Sequence, residues 1–145
     1  MAKTQEAVEI LLVEDNAGDV ILTKEALSES ETDYGLHVVS DGLEAMRFLR
    51  REGGYRNMPR PGLILLDLNL PKKDGREVLA DIKSDPHLKN IPVVVMTSSA
   101  AEDDIMRSYA LHANCYVTKG ANWDEHSRVI RSIQDFWLGR VRLPR

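Results

Sequence analysis

The 145-residue chain has little of several features that mark particular classes of protein. Its one cysteine, Cys115, excludes a disulfide framework and favours a reducing cytoplasm. No apolar run approaches the roughly 18 residues needed to cross a bilayer, and Met1–Glu6 lacks the apolar core of a signal peptide. The net charge of −4 argues against a general binder of nucleic acid or anionic membranes. We therefore expect a cytoplasmic globular protein with neither kind of partner.

Short apolar runs alternate with longer amphipathic segments along most of the chain. The predicted strands are Val8–Val13, Leu36–Val39, Leu63–Leu66, Ile91–Met96 and Cys115–Val117. Most are apolar throughout, which is typical of strands covered by helices on both sheet faces. The alternation predicts an α/β fold with a doubly wound parallel sheet. We expect one domain over residues 8–140, terminal tails at 1–7 and 141–145, and no second domain.

The predicted helices share one start signal, a capping residue followed by an acid three positions later. The five pairs are Asn16 with Asp19, Asp41 with Glu44, Asp74 with Glu77, Ser99 with Glu102, and Asn122 with Glu125. The third helix should end near Asp85, because proline at the next position disfavours helical backbone before it.

Polar residues follow four of the predicted strands. Glu14–Asp15 follow the first strand, Asp67 the third, Thr97 the fourth and Lys119 the fifth. In an open parallel sheet these strand ends share one edge, where ligands bind. Clustered carboxylates repel one another unless a cation or a raised pKa relieves them. An amine and a hydroxyl opposite them suit a tetrahedral anion, so the pattern predicts a magnesium-assisted phosphorylation site on an aspartate.

These residues, in this order, resemble the receiver domain of two-component response regulators. The resemblance covers Val8 to about Leu138 and rests on Glu14–Asp15, Asp67 with Asn69, the Leu70–Gly75 turn, Thr97–Ser98 and Lys119. It implies a flavodoxin-like receiver fold with five helices and strand order 2-1-3-4-5. It also implies that Asp67 accepts a phosphoryl group from a histidine of a sensor kinase and loses it slowly to water.

The resemblance further implies a role for each site residue. The magnesium ligands would be Asp15, Asp67 and the backbone carbonyl of Asn69, with Glu14 acting through water. Lys119 would pair with the phosphoryl oxygens, and Thr97 would hydrogen-bond them. Asn69 and Ser99 would tune the rate of dephosphorylation, although Ser99 also suits a helix cap. Tyr116 matches the aromatic switch position, so signalling would change the face formed by helix 4, strand 5 and helix 5.

The most similar subfamily is the stand-alone regulators that partner bacterial and cyanobacterial phytochrome kinases. The segments that resemble theirs are Tyr55–Pro61, Leu70–Glu77, Ile82–Pro86 and the aromatic C-terminal helix. One position departs from the family: receivers commonly carry proline, often after a cis bond, where this chain has Gly120. Non-proline cis bonds are costly, so the position of Lys119 is in question.

The last predicted helix suggests a dimer. Val129, Ile130, Ile133 and Trp137 lie at helical spacing and should face the sheet. Phe136, Leu138, Val141 and Leu143 fall partly off that stripe, and exposed apolar patches often mark interfaces. We expect a homodimer through Tyr116, Phe136, Trp137 and Leu138, the alternative being that the tail folds back over the domain. A downstream phosphotransfer or output protein is also expected.

Three other functions were weighed against phosphorylation-controlled signalling. A degenerate receiver would act as a phosphate-independent interaction module. A magnesium-dependent phosphatase usually needs a second aspartate two residues after its nucleophile, where this chain has Asn69. A flavodoxin-like ligand binder would need a phosphate-binding loop after the first strand, where Glu14–Asp15 is acidic. The residues favour a signalling module over an enzyme.

Overall fold

The computed structural model describes residues 7–144, which form five strands and five α-helices in strict alternation. The strands are β1 (Val8–Val13), β2 (Tyr34–Val39), β3 (Leu63–Leu66), β4 (Val93–Thr97) and β5 (Cys115–Thr118). The helices are α1 (Ala17–Leu27), α2 (Gly42–Leu49), α3 (Gly75–Ser84), α4 (Glu102–Ala110) and α5 (Trp123–Ile133). All strand pairs are parallel in the order β2-β1-β3-β4-β5, which confirms the predicted fold. Of the predicted tails, residues 1–6 and 145 lie outside the described part.

The sheet separates two apolar cores because successive side chains of a strand point to opposite faces. In β3, Leu63 and Leu65 pack with the core that contains residues of α1 and α5. Ile64 and Leu66 pack with the core that contains residues of α2 and α3. All four side chains are buried, which explains why the sequence of β3 is apolar at every position. The buried β3 holds the residue that follows it, Asp67, in the middle of the sheet edge.

Three of the predicted cap pairs form as expected. The side chains of Asn16, Asp41 and Asn122 accept hydrogen bonds from the backbone N–H three residues later. Asp74 also caps its helix, but it accepts from Arg76 rather than from the third residue. α3 ends at Ser84, with the next residue extended ahead of proline as predicted.

The predicted cap of α4 is wrong. α4 begins after Ala101, which makes no side-chain cap bond. Ser99 lies two residues before the cap position; its Oγ accepts from the N–H of Ala101 at 3.3 Å, and its hydroxyl donates to Asp104, inside α4, at 2.6 Å. Ser99 therefore joins the loop to α4 without capping the helix.

The expectation that Leu138 is available for a dimer interface is also wrong, because Leu138 is buried in the core with α1 and α5. α5 continues into a π-helical turn at Gln134–Leu138, which winds more slowly than an α-helix and so changes the phase of the apolar stripe. Trp137 and Leu143 pack against the same core, whereas Phe136 stays exposed. The end of the chain therefore folds partly back over the domain.

Within residues 7–144, no helix combines the length and the apolar character that crossing a bilayer requires.

Candidate functional site

The strand ends bring the predicted site residues to one edge of the sheet. Glu14–Asp15 follow β1, and Asp67 follows β3, which lies between β1 and β4. The backbone N–H of Asp67 donates to the carbonyl of Val13 at 3.1 Å. The backbone N–H of Lys119 donates to the carbonyl of Thr97 at 2.7 Å. These bonds hold the four strand ends, and the loops that leave them, in register.

At the centre of this edge, one ammonium group contacts three carboxylates. Lys119 Nζ lies 2.7 Å from Glu14 Oε2, 2.7 Å from Asp19 Oδ2 and 3.2 Å from Asp67 Oδ2. We call these four residues the lysine cluster. The Lys119 side chain is 11% exposed and that of Glu14 1%, so the ion pairs are shielded from solvent. Lys119 Nζ therefore lies beside the predicted phosphoacceptor.

Burial and charge change the proton affinities inside the lysine cluster. Burial raises the pKa of Glu14 to about 7, against the hydrogen bond from Lys119 that lowers it, and repulsion from Asp67 adds to the rise. Burial lowers the pKa of Lys119, but the hydrogen bonds to Asp19 and Glu14 outweigh it, so this pKa lies above its usual range. The cluster therefore has an ammonium that stays charged and a carboxyl that titrates near neutrality.

The carboxylates at this edge can hold a metal ion. Glu14, Asp15 and Asp67 each offer an oxygen, and the three oxygens lie within 4.8 Å of one another. They line a cavity of about 490 Å³ together with Asn69, Ser98 and the start of α5. Carboxylate oxygens are hard ligands of the kind that Mg²⁺ binds while it keeps several waters. The donor set and the open cavity fit a hydrated divalent cation.

Asn69 and Thr97 lie at the same edge in different environments. Asn69 is exposed beside the cavity, and its backbone N–H donates to Asp67 Oδ1 at 3.2 Å. Thr97 is fully buried, and its hydroxyl accepts from the N–H of Ser99 at 3.5 Å. Ser98, which lies between Thr97 and Ser99 in the chain, lines the cavity. In this conformation Thr97 therefore supports the β4–α4 loop.

A second ionic group, which we call the arginine cluster, lies on the α3–α4 side of the edge and consists of Arg76, Asp74, Asp104 and Ser99. Arg76 Nη2 and Nε contact Asp104 Oδ1 at 2.5 and 3.2 Å, and Arg76 Nη1 contacts Asp74 Oδ1 at 3.1 Å. The hydroxyl of Ser99 and the guanidinium of Arg76 hold the pKa of Asp104 below its usual range. This cluster joins α3, α4 and the loop before α4.

Tyr116, the predicted switch residue, contacts the arginine cluster. Its hydroxyl donates to the carbonyl of Ser99 at 2.7 Å, and its half-buried ring packs against the core on the α2–α3 side. Its backbone N–H donates to the hydroxyl of Tyr109 on α4 at 3.2 Å. Tyr116 is therefore turned toward the β4–α4 loop, in reach of the loop that Thr97 also contacts.

Sequence reasoning missed three charged residues of this edge. Asp19 was interpreted only as the acid of a helix start, and Arg76 and Asp104 were given no role. The cap at Asn16 was a usable signal for Asp19, since it fixes the start of α1 and places Asp19 in its first turn, beside the sheet edge. The other two residues meet across 28 positions of sequence, a contact that no local pattern reveals.

The structure gives Gly120 a packing role. The peptide bond between Lys119 and Gly120 is trans, as are all peptide bonds among residues 7–144. A Cβ atom at Gly120 would overlap the backbone of Glu125 and His126 at the start of α5. The loop after Lys119 thus packs directly on α5, and the absent side chain allows the close approach.

Comparison with known proteins agrees with this geometry. The family model for the response regulator receiver domain matches residues 10–131. The chain belongs to the response regulator receiver family. As a receiver it is a signalling protein of two-component systems rather than a metabolic enzyme. Among curated proteins the receiver is 56% identical over 135 residues to response regulator Rcp1 of Synechocystis sp., covering 93% of this chain and 92% of Rcp1.

Solved structures show the same fold. The receiver matches the Mn²⁺-bound form of response regulator Rcp1 with a TM-score of 0.93 and 55% identity, covering 95% of this chain and 99% of that one. It matches the phosphorylated cyanobacterial phytochrome response regulator RcpA with a TM-score of 0.94 and 56% identity, covering 97% and 100%. One relative is thus known with a metal ion and another with a phosphoryl group.

Proposed function

We propose that Asp67 is the phosphoacceptor of this receiver and takes its phosphoryl group from a sensor histidine kinase. The observation that supports this most is the position of Lys119 Nζ, 3.2 Å from Asp67 Oδ2 and buried with it at the sheet edge. In phosphoryl transfer to a carboxylate, catalysis consists mainly of positioning and of neutralising charge on the phosphoryl oxygens. A fixed ammonium beside the attacking oxygen meets both needs.

Magnesium is the metal that we propose for the acidic site, with Asp15, Asp67 and the carbonyl of Asn69 as direct ligands. Asp15 is exposed and free to turn toward an ion, and the Mn²⁺-bound form of Rcp1 supports a divalent metal. Both oxygens of Glu14 already accept hydrogen bonds, from Lys119 and from the N–H of Asn16. Glu14 therefore suits contact with the ion through water. Bound there, the ion would neutralise charge on the phosphoryl oxygens.

For the remaining roles, we propose that Thr97 turns its hydroxyl to the phosphoryl group and that Tyr116 follows the resulting shift of the β4–α4 loop. The support is the hydrogen bond from Ser99 N–H to Thr97 and the one from Tyr116 to the Ser99 carbonyl. Asn69 and Ser99 would tune the phosphoryl lifetime. The unit that switches in this way would be residues 8–140, in the reducing cytoplasm where a free Cys115 persists.

The test is intact mass after incubation with a small acyl phosphate, with and without Mg²⁺, for the wild type and Asp67→Asn. We expect a magnesium-dependent gain of one phosphoryl group that is absent in the variant. Asp33→Asn, a change of the same chemistry remote from the cavity, should phosphorylate like the wild type. A folded wild type that gains nothing would indicate a degenerate receiver that binds partners without phosphate.

The kinase partner is proposed to be of the phytochrome type, because a phosphorylated relative at 56% identity is a phytochrome response regulator. The measurement is the rate of phosphotransfer from a phosphorylated cyanobacterial phytochrome, compared with that from sensor kinases of other classes. We expect the phytochrome to transfer at least tenfold faster, about 1.4 kcal/mol in barrier height. Equal rates from all donors would contradict this assignment.

We also propose a homodimer through the α4–β5–α5 face, with Phe136, Trp137 and Tyr116 in the interface. Phe136 is 55% exposed and stacks edge-on against Trp137 with 5.5 Å between ring centroids. Because Trp137 also packs on the core, Phe136→Ser is the cleaner variant. It should lower the sedimentation coefficient at a given concentration, whereas Leu43→Ser on α2 should not. A downstream phosphotransfer or output protein would be the next partner of this face.

A further inference from the structure

Asp19 occupies one of the three N–H groups of Lys119. An ammonium has three donors, and the structure directs them to Glu14, Asp19 and Asp67. The contacts to Glu14 and Asp19 are both 2.7 Å, while the contact to Asp67 is 3.2 Å. Two short contacts thus hold the ammonium from the side of β1 and α1, and the third donor faces the phosphoacceptor more loosely.

This geometry leaves the N–H of Lys119 that faces Asp67 available to bind a phosphoryl oxygen. When Asp67 becomes an acyl phosphate, one carboxylate oxygen forms a bond to phosphorus while the bond from phosphorus to the donor breaks. The donor leaves with that electron pair, and the charge of the Asp67 carboxylate is lost. The phosphoryl oxygens then lie where the third N–H points. The contacts to Glu14 and Asp19 do not have to break for Lys119 to meet them. The ammonium is oriented before the phosphoryl group arrives, which lowers the reorganisation needed for transfer.

Asp19 is itself firmly held. Its backbone N–H donates to Asn16 Oδ1 at 2.9 Å, and its carbonyl accepts from the hydroxyl of Thr23 at 2.7 Å. A side chain in the first turn of a capped helix is a more rigid support than one on a loop. Lys119 needs such support because its four-carbon stem is flexible.

We propose that Asp19 is a positioning residue for the phosphorylation of Asp67, holding the Lys119 ammonium so that one N–H faces the phosphoacceptor. This inference rests on the proposed function and adds a residue that none of the implied receiver roles includes. Asp19 does not touch the reacting atoms and acts through Lys119. The competing explanation is that Asp19 is one more negative charge that attracts Mg²⁺ to the cavity.

The rate of phosphorylation by a small acyl phosphate, measured across a Mg²⁺ titration, separates the two explanations. If Asp19 positions Lys119, Asp19→Asn lowers the maximal rate at saturating Mg²⁺ about tenfold, since misplacing a catalytic group costs rate even with all components bound. If Asp19 only attracts the ion, the variant needs more Mg²⁺ for half-maximal rate and reaches the same maximum. Asp19→Glu keeps the acceptor and should recover most of the maximal rate.

Asp124→Asn is the matched control. Asp124 lies in the first turn of α5, so the substitution removes an equal charge near the cavity. Lys119 pairs with Glu14, Asp19 and Asp67 and not with Asp124. The control should therefore keep the maximal rate. A drop of equal size in Asp124→Asn and Asp19→Asn would overturn the proposal in favour of a general charge effect.

A second readout does not involve phosphorylation. In the metal-free protein, the ¹⁵N-labelled ammonium of Lys119 should give a slowly exchanging NMR signal that Asp19→Asn shifts and broadens. An unchanged maximal rate together with an unchanged ammonium signal overturns the role of Asp19 and leaves the proposed function intact. A wild type that gains no phosphate overturns the proposed function itself, so the two failures are distinguishable.

Discussion

The two ionic clusters at the edge of the sheet use different cations in different surroundings. The lysine cluster lies between β1, β3 and α1, and its carboxylates are 1% exposed at Glu14, 8% at Asp67 and 26% at Asp19. The arginine cluster lies between α3 and α4, and its carboxylates are 20% exposed at Asp104 and 38% at Asp74. Both join elements distant in sequence, but the residues of the lysine cluster line the cavity of the predicted chemistry and those of the arginine cluster do not.

The choice of cation agrees with these positions. Lysine is a point charge whose three donors can be redistributed among acceptors, so it can exchange a carboxylate for a phosphoryl oxygen. Arginine has a planar fork of fixed donors, and Arg76 uses it to join Asp74 and Asp104 in one orientation. Lys119, the adaptable cation, thus lies at the proposed phosphorylation site, and Arg76, the rigid one, aligns α3 and α4.

The arginine cluster matters because α4 has few other attachments. Ser108 is the one buried residue of its nine, whereas α3 buries Val78, Leu79 and Ile82. An element with little buried apolar surface can move at low cost. The polar contacts of Asp104 and Tyr109 therefore decide where α4 lies, which suits a helix on the proposed signalling face.

Removing the cation from each cluster should have the largest effect and should distinguish the two clusters most clearly. Lys119→Gln leaves Glu14 and Asp67 buried without a counter-charge, which should lower the free energy of unfolding by about 3 kcal/mol in metal-free buffer. Arg76→Gln removes a partly exposed cation and should cost only a fraction of that, because water screens the acids it leaves. Urea denaturation in the presence of a chelator measures both.

Magnesium provides the control for this prediction. A divalent cation at the proposed site of Asp15 and Asp67 would replace the lost positive charge, so saturating Mg²⁺ should restore much of the stability of Lys119→Gln. Arg76→Gln has no such site and should respond to Mg²⁺ no more than the wild type does. Equal losses in the two variants, with or without the ion, would mean that burial does not distinguish the clusters.

Asp104→Asn should loosen the β4–α4 loop while the lysine cluster stays intact. Arg76 Nε and Nη2 both donate to Asp104 Oδ1, and a neutral amide oxygen accepts them more weakly than a carboxylate does. The amide nitrogen in the place of Oδ2 cannot accept from the Ser99 hydroxyl. We expect amide hydrogen exchange to accelerate severalfold over residues 99–110, with phosphorylation of Asp67 retained. Asp103→Asn removes the same charge from an exposed neighbour in the same turn and should leave exchange unchanged.

The two clusters also differ in how far the sequence could predict them. The strands and the positions of Glu14, Asp67 and Lys119 at their ends follow from local signals, since apolar runs mark the strands and polar residues mark their ends. The strand order follows only from the resemblance to receivers. Alternating strands and helices imply a parallel sheet, and the carboxyl ends of parallel strands meet at one edge. The order of polar residues at those ends is specific to receivers. The lysine cluster was predictable except for Asp19, whose side chain reaches Lys119 only in three dimensions.

The arginine cluster and the C-terminal turn were not predictable in this way. Arg76 and Asp104 occupy ordinary helical positions, and their pairing depends on how α3 and α4 pack rather than on any local pattern. Ser99 matched a cap signal, but α4 has its cap position at Ala101, two residues later than that signal predicts. Leu138 was misplaced because a π turn changes the helical phase, and hydrophobic spacing assumes a constant one.

Tyr116→Phe should test the link from β5 to the arginine cluster with a smaller effect. It deletes the hydroxyl that donates to the Ser99 carbonyl at 2.7 Å and should cost about 1 kcal/mol of stability, the usual net value of one hydrogen bond. Amide exchange at residues 99–101 should rise. Tyr55→Phe, which deletes a hydroxyl bonded to Glu44, should cost a similar amount without changing exchange there. Increased exchange in both variants would contradict a specific link.

The smallest expected effect concerns His126, which lies beside the lysine cluster and has no counterpart in the arginine cluster. His126 is buried, its Nδ1 accepts from the N–H of Gly120 at 3.4 Å, and its Nε2 has no partner among residues 7–144. Burial lowers the pKa of His126 below 6.5, the nearby charge of Asp19 raises it, and that of Lys119 lowers it, with burial the largest of the three.

The lowered pKa sets the sign of a pH effect. Below pH 6.5 the unfolded chain binds a proton at His126 that the folded protein resists, so this residue should make stability fall as pH falls through 6.5 toward its folded pKa. The raised pKa of Glu14 acts oppositely, favouring the folded protein at acid pH in the window from 4.5 to about 7.

Only a difference in stability between the wild type and a His126 variant isolates the contribution of His126. Denaturation of His126→Gln from pH 5.5 to 8 should therefore show a stability difference from the wild type that shrinks or reverses on the acid side. His87→Gln, an exposed control, should run parallel to the wild type, and a parallel His126→Gln curve would mean that the buried ring does not titrate with folding.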